Sequence, residues 1–185
     1  MPPIIQPINH LVDEVLGGNN EAFSELYNQT IHTVYRTLYF LSRHPEELND
    51  IVQNVYVELY KNLAKFDRAR SFQYWLTGIA VRQHQAYRRQ RWRQQRNEAV
   101  EVRMTPAAEP DFADSLIDKV SHEHLVEQIA ALSYKQKQVV ILHYLNELTH
   151  EEIADILQIP PGTVKSRLHS ALSRLRRQYR RESHV

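Results

Sequence analysis

Residues 147–177 read ELTHEEIADILQIPPGTVKSRLHSALSRLRR, and their spacing decides the fold of the last third of the chain. Thr149 and Glu152 fit a capping box, in which two side chains satisfy the free backbone N–H groups at a helix start. The segment at 158–162 then ends that helix, because its two prolines cannot continue it and its glycine can take a positive φ. We expect Thr163 to cap the helix that follows.

The helix after this turn has two different faces. An apolar stripe with core spacing is formed by Val164, Leu168, Ala171, Leu172 and Leu175. The opposite face carries small polar side chains and His169 at its centre, with cations on its two rims: Ser166, Ser170 and Ser173, then Lys165 and Arg176, then Arg167 and Arg174. Small residues let a helix enter a major groove while cations at the edges reach phosphates. Together with a preceding helix at 133–145, the pattern predicts a helix-turn-helix domain that binds double-stranded DNA.

The whole chain has the composition of an all-helical protein. It has 185 residues, few glycines (4), and apolar residues that recur every three or four positions. Cysteine is absent, which excludes disulfides and thiol catalysis and fits a reducing compartment. No apolar stretch approaches the roughly 18–20 residues that span a bilayer, so we expect a cytoplasmic protein without membrane insertion.

Charge is distributed in blocks although the formal net charge is only +1. Six arginines and no acid lie between Arg82 and Arg96, acids dominate 97–124, and bases dominate from Thr163 onward. Two basic blocks on either side of an acidic one favour two polyanion contacts over ordinary solvated faces. We therefore expect a helical domain at 9–96, an acidic linker at 97–121 and the helix-turn-helix domain at 122–181.

The N-terminal half shows three further elements. Pro45 is placed to open a helix whose core stripe is Leu48, Val52, Val55 and Leu59. The segment 66–71 has the composition of a loop, and a long helix is expected over 72–96. On that helix we expect Tyr74, Arg82, Arg88 and Arg89 to point outward.

These segments resemble the bacterial RNA polymerase sigma factors. Residues 147–177, with Gly-Thr-Val-Lys-Ser-Arg-Leu at 162–168, resemble sigma region 4. Ala-Phe-Ser-Glu-Leu-Tyr at 22–27 resembles region 2.1, and Asp-Ile-Val-Gln-Asn-Val-Tyr at 50–56 resembles region 2.2. Phe-Gln-Tyr-Trp-Leu-Thr-Gly-Ile-Ala at 72–80, with its arginine-rich tail, resembles regions 2.3 and 2.4. The order of these segments and the short linker are those of the extracytoplasmic-function (ECF) branch.

The resemblance implies an all-α fold of two small helical domains, region 2 and region 4, joined by a flexible linker. It implies an initiation subunit without enzymatic activity, cofactor or metal. The implied partners are core RNA polymerase, through its clamp helices and flap, double-stranded promoter DNA, the unpaired minus-10 strand and an anti-sigma factor.

The resemblance also assigns site residues by position. Those implied for the minus-35 element are Thr163, Lys165, Ser166, Arg167, His169, Ser170 and Arg174. Those implied for the minus-10 element are Arg70, Tyr74, Trp75, Arg82, Arg88 and Arg89, although a tryptophan at the position of Trp75 is more often a core residue. Those implied for polymerase contact are Asp50, Gln53, Asn54 and Val57. Asn54, Arg82, Ala86 and Ser170 depart from the residues that are frequent in the family, so an unusual promoter sequence is expected.

Two other classes of protein remain open at the level of sequence. A two-domain helix-turn-helix regulator would bind DNA without joining the polymerase, and would not need the segments that resemble regions 2.1 to 2.4. A metal-dependent hydrolase would use some of the 10 histidines. Against it, His143, His150 and His169 fall on three different predicted helices, and no His-Glu-x-x-His motif occurs.

Overall fold

The structure, a computed structural model, describes residues 8–42, 47–97 and 123–182. These residues form helices and no strand, which confirms the all-α expectation. The helices are α1 (Ile8–Leu16), α2 (Asn20–Leu41), α3 (Leu48–Asn62), α4 (Phe72–Asn97), α5 (Glu123–Ala130), α6 (Tyr134–Val140), α7 (His150–Leu157) and α8 (Pro161–Glu182). A 3-10 turn, Leu63–Lys65, follows α3, and a π-helical segment, Ile141–Leu145, continues α6. Pro45 and nearly all of the predicted linker lie outside the described residues.

Helices α1 to α4 enclose the first hydrophobic core. The Asn19 side chain begins α2, because its Oδ1 atom accepts hydrogen bonds from the backbone N–H groups of Glu21 (3.0 Å) and Ala22 (3.3 Å). The predicted stripe on α3 is buried as expected at Leu48, Val52, Val55 and Leu59. It packs against α4, whose Leu76 and Ile79 are also buried in this core. The predicted loop at 66–71 separates the 3-10 turn from α4.

Helices α6, α7 and α8 form the predicted helix-turn-helix. A capping box starts α7 as the sequence indicates: the Thr149 N–H donates to Glu152 Oε2 (2.8 Å) and the Glu152 N–H donates to Thr149 Oγ1 (3.2 Å). Ser133 and Gln136 form a second capping box at the start of α6. Val164, Leu168 and Ala171 of α8 are buried, which confirms the predicted core stripe at these positions.

The turn between α7 and α8 corrects two predictions. Gln158, not Gly162, adopts the left-handed conformation, with φ of 53°, and ends α7. Helix α8 then begins at Pro161, so Thr163 is a helical residue and does not cap the helix. Proline suits a first helical turn because its fixed φ is helical and its missing N–H would have no partner there. The Pro160 carbonyl accepts the Thr163 N–H at 2.9 Å.

The second hydrophobic core contains residues from both halves of the chain. Most of it comes from α6, the π-helical segment, α7 and α8, but Leu41 of α2 and Val81 of α4 are buried in it as well. The two predicted domains therefore pack against each other, which nothing in the sequence pattern indicated. None of the described helices is long and apolar enough to cross a membrane.

We predict that Thr149→Ala lowers the free energy of unfolding by about 1 kcal/mol, because the first turn of α7 loses its side-chain acceptor. Thr149→Ser keeps a hydroxyl at this position and should stay close to the wild type. Urea denaturation followed by circular dichroism measures both variants. An alanine variant as stable as the serine variant would contradict the role of the capping box.

Candidate nucleic-acid interface

The polar face of α8 is open to solvent. Lys165, Ser166, His169, Ser170 and Arg174 are exposed, while Thr163 and Arg167 are half-buried. The Ser166 hydroxyl donates to the Thr163 carbonyl (3.1 Å), which keeps this side chain close to the helix axis. The structure therefore has the surface that the sequence predicts, with short side chains at the centre of the face and cations beside them.

Ser170 also has a structural contact that the sequence did not reveal. Its Oγ atom accepts a hydrogen bond from Gln136 Nε2 at 3.0 Å. Gln136 Oε1 in turn accepts from the Ser133 N–H at the start of α6 (3.2 Å). This pair of bonds links the α8 face to the start of α6 and leaves the Ser170 hydroxyl hydrogen able to donate elsewhere.

The second basic surface lies on the C-terminal part of α4. Arg82, Arg88 and Arg89 are exposed, as predicted. Farther along the helix the Arg96 guanidinium lies 5.2 Å from the centre of the Trp92 ring, which is itself 63% exposed. An exposed aromatic ring among arginines is a surface on which a nucleic-acid base can stack.

Trp75 lies within an aromatic cluster beside the loop at 66–71. Its ring centre lies 5.1 Å from that of Phe66 and 5.7 Å from that of Phe72, and its side chain is half-buried. The contacts favour a packing role for Trp75 over direct base contact. Phe66 and Phe72 are themselves buried in the first core, so the cluster fixes the loop to the start of α4.

Tyr74 does not point freely outward as expected. Its hydroxyl donates a hydrogen bond to the Asp155 carboxylate of α7, and its ring packs on the second core. Arg70 Nη1 lies 3.6 Å from the same carboxylate. Partial burial and the bond to Asp155 raise the Tyr74 pKa, so the phenol stays protonated and able to donate. The predicted outward orientation of Tyr74 is wrong because its partner, Asp155, lies in the other half of the chain.

His84 is a buried residue of this surface that sequence reasoning missed. Its Nδ1 atom lies 2.9 Å from the Tyr134 hydroxyl, and the two rings stack with centres 5.6 Å apart. The Arg88 guanidinium covers the Tyr134 ring at 3.4 Å. Burial, with the nearby charges of Arg88 and Lys137, lowers the His84 pKa to about 4. One signal was available: Thr77, Val81 and His84 form a second helical stripe on α4 beside the one that was identified.

A cleft of about 910 Å³ lies between the two halves of the chain, next to His84 and Tyr134. Its walls are strongly basic, with lining residues that include Arg88, Arg89, Arg91, Arg93, Arg96, Lys135, Lys137 and Arg167. Among the lining residues that the structure describes, Glu47 is the one acid, and it pairs with Arg91. The basic end of α4 thus faces Arg167 of α8 and the lysines of α6 across one opening.

The predicted polymerase-contact face is exposed on α3. Asp50, Gln53, Asn54 and Val57 all reach solvent, with Val57 50% exposed. Tyr60, one turn farther along and 57% exposed, extends this face and was not predicted. Among the described residues, no three His, Asp or Glu side chains are grouped as they would be to hold a metal ion.

Comparison with known families agrees with this geometry. The Sigma-70 region 2 family matches residues 26–94, and the family Sigma-70, region 4 matches residues 122–175. The first family covers the helices that carry the α3 and α4 surfaces, and the second covers the helix-turn-helix. The two matches in this order define the class of protein as a sigma factor.

Curated relatives match along almost the whole chain. The ECF RNA polymerase sigma factor SigK of Mycobacterium tuberculosis (strain H37Rv) is 31% identical over 180 residues, which is 95% of each chain. The ECF RNA polymerase sigma factor SigW of Bacillus subtilis (strain 168) is 27% identical over 185 residues, which is 94% of this chain and 97% of SigW. The chain belongs to the ECF RNA polymerase sigma factor family, and it acts in promoter-specific initiation of transcription.

Two solved structures share the fold. The sigma factor RpoE of Bartonella quintana, in complex with the anti-sigma factor NepR, aligns with a TM-score of 0.69 at 19% identity and covers 85% of this chain and 96% of its own. CnrH in complex with the cytosolic domain of CnrY aligns with a TM-score of 0.63 at 18% identity and covers 91% and 94%. Both comparisons support the arrangement of helices described above.

We predict that the contribution of His84 to stability is lost at acidic pH. Its pKa is about 4 in the folded protein and about 6.5 when exposed, so folding favours the neutral ring. The contribution is therefore fully present above about pH 6.5 and falls as the pH is lowered toward 4. The difference in free energy of unfolding between the wild type and His84→Phe, measured from pH 7.5 to 4.5, should shrink at low pH. A difference that does not depend on pH would contradict this assignment.

Proposed function

We propose that this sigma factor binds core RNA polymerase through the exposed face of α3, binds the minus-35 element through α8 and binds the minus-10 element through α4 and the preceding loop. The observation that supports the proposal is the presence of two exposed basic surfaces, on α4 and α8, in one chain. The α8 face has short polar side chains at its centre and cations at its rims. The exposed end of α4 carries arginines with Trp92 among them.

The α8 face suits the major groove of an upstream duplex. Ser166, His169 and Ser170 are exposed and short enough to let the helix approach base edges. Lys165 and Arg174, also exposed, would reach phosphates on either side of the groove. Arg167 and Thr163 are half-buried beside them and would position the start of the helix on the DNA backbone.

A surface that binds the unpaired minus-10 strand requires an aromatic ring on which a base can stack and cations that bind the phosphates of the strand. Tyr74 supplies a ring at the edge of the loop, with Arg70 beside it at 6.0 Å from the ring centre. Stacking a base on such a ring contributes about 1–3 kcal/mol. The Trp75 ring packs against Phe66 and Phe72. We therefore assign base stacking to Tyr74, and to Trp75 the packing that holds the loop and the start of α4 together. Arg82, Arg88 and Arg89 would hold phosphates farther along α4.

The α3 face suits a protein partner. It combines a carboxylate and two amides, at Asp50, Gln53 and Asn54, with the exposed apolar side chains of Val57 and Tyr60. We assign this face to the clamp helices of core polymerase, and the helix-turn-helix domain to the polymerase flap. RpoE has been solved in complex with the anti-sigma factor NepR, and we infer an anti-sigma partner for this chain as well.

Reconstitution with core RNA polymerase and a library of random promoters tests this function. The protein should form a complex on a sizing column and should direct transcripts from a subset of promoters that share two spaced elements. DNA binding without complex formation or directed transcripts would instead identify a regulator that does not join the polymerase.

We predict that Asp50→Arg weakens binding to core polymerase about tenfold or more, because it reverses the charge of the one carboxylate that we assign to the exposed α3 face. DNA binding by the free full-length protein should not decrease. Glu127→Arg, the same charge reversal at an exposed position of α5, is the matched control and should bind polymerase like the wild type. Equal loss in both variants, measured by fluorescence anisotropy with core polymerase, would contradict the assignment of this face.

We predict that Lys165→Ala weakens binding to the selected promoter duplex and lowers the slope of log affinity against log salt by about one unit, because one phosphate contact is lost. Lys61→Ala removes an exposed lysine from α3 and is the control. Titrations at four or more salt concentrations give both slopes. An unchanged slope for Lys165→Ala would show that this side chain does not contact a phosphate.

A further inference from the structure

We propose that the basic cleft binds a nucleoside oligophosphate, with its phosphates among the cations of α4 and α6 and its base on the exposed Trp92 ring. The basic cleft is the opening of about 910 Å³ beside His84 and Tyr134. Binding of such a ligand goes beyond the recognition of promoter elements proposed above. It needs neither DNA nor polymerase, so its failure would leave the proposed function standing.

The cleft has the size of a small-molecule site. Its volume of about 910 Å³ lies near the upper end of the roughly 300–1,000 Å³ that pockets for small ligands enclose. Four helices line it, with Leu41 of α2, the C-terminal part of α4, the start of α6 and Arg167 of α8. A DNA double helix is too wide to enter an opening of this volume, whereas a nucleotide fits.

The charge of the cleft favours an anion with several negative charges. Among its lining residues in the described part of the chain, eight side chains are cationic and one is a carboxylate. That carboxylate, Glu47, pairs with Arg91, whereas Arg93 and Lys135 form no ion pair with any acid of the described residues. A single phosphate group carries at most about two negative charges. An oligophosphate therefore compensates the cations of this cleft better than one phosphate does.

Two buried polar side chains belong to the wall of the cleft that α6 forms. Lys137 is 2% exposed, and because burial of an ammonium group is costly, a nearby anion would stabilise it. The Gln138 amide is buried as well, and its Nε2 atom donates to no acceptor among the described residues. Buried donors of this kind usually bind an ion, a water or a ligand. A phosphate oxygen at this wall would supply the acceptor.

His84 reports the positive potential of the cleft that it lines. Its Nδ1 atom lies 2.9 Å from the Tyr134 hydroxyl. Burial, and then the charges of Arg88 and Lys137, lower its pKa to about 4. Clefts lined by charges of one sign focus the electric field and attract ligands of the opposite sign. The same charges that disfavour a protonated imidazole therefore favour a bound anion.

Trp92 supplies a surface for a nucleobase beside these cations. Its ring lines the cleft, is 63% exposed, and has the Arg96 guanidinium 5.2 Å from its centre. Any of the nucleic-acid bases can stack on such a ring, because every base has a π-face. An inorganic oligophosphate would use the cations alone, so the exposed ring among them favours a ligand that carries a nucleoside.

Calorimetry on the full-length protein with ATP, tripolyphosphate and adenosine tests the ligand class. ATP and tripolyphosphate should bind at one shared site, and adenosine should not bind. Trp92→Ala should weaken ATP about fivefold or more, the loss expected for one stacked base, and should leave tripolyphosphate unchanged. Since the chain has only two tryptophans, Trp92 fluorescence in a Trp75→Phe background should also be quenched saturably by ATP. Equal effects of Trp92→Ala on both phosphate ligands would overturn the assignment of the base.

Removal of two cleft cations tests the phosphate contacts. Arg93→Gln combined with Lys135→Gln should weaken ATP and tripolyphosphate about tenfold or more, because charge-assisted hydrogen bonds are lost. Lys61→Gln combined with Lys65→Gln removes two exposed lysines outside the cleft and is the matched control. Equal affinities in the two double variants, or no saturable binding of ATP by the wild type up to millimolar concentrations, would overturn the proposal. A mixed-sequence DNA single strand that binds these cations while ATP does not would assign the cleft to DNA and overturn it as well.

Discussion

The packing of helix α4 on two cores at once is the constraint on which the rest of the structure depends. Leu76 and Ile79 anchor it in the first core, and Val81 is buried in the second. His84 continues the second contact and stays neutral because burial lowers its pKa to about 4. The arginines that follow reach solvent at the edge of the basic cleft. The position of the proposed minus-10 surface is thus set by a helix that packs on both cores.

Helix α8, unlike α4, packs on a single core: one of its sides faces that core and the other faces solvent. Val164, Leu168 and Ala171 fix its rotation on α6 and α7, which leaves the short polar side chains outward. The Gln136 to Ser170 hydrogen bond adds a second constraint at the surface. The polar face of α8 is therefore fixed by its own core and exposed, while Tyr74 and Arg88 of the proposed minus-10 surface contact the C-terminal half. This difference matches a protein that must engage two promoter elements in one complex.

Local patterns in the sequence were enough to predict the helices, their core stripes and the capping box at Thr149, since these depend on residues a few positions apart. The turn was predicted less well: the choice of Gly162 for the positive φ overlooked Gln158 and the suitability of Pro161 for a first helical turn. The contacts of Tyr74 with Asp155 and of Thr37 with Asn146 join residues 81 and 109 positions apart. No periodic pattern encodes such pairs, so the shared core and the contact of Tyr74 with α7 became visible only in the folded chain.

Site-specific photo-cross-linking in the assembled holoenzyme on a selected promoter tests most directly the claim that one chain binds two promoter elements through two surfaces. A photoreactive amino acid in place of Ser166 should cross-link to the upstream duplex. The same amino acid in place of Tyr74 should cross-link to the unpaired strand nearer the start site. Cross-links from both positions to the same element, or from neither position to DNA, would contradict the account.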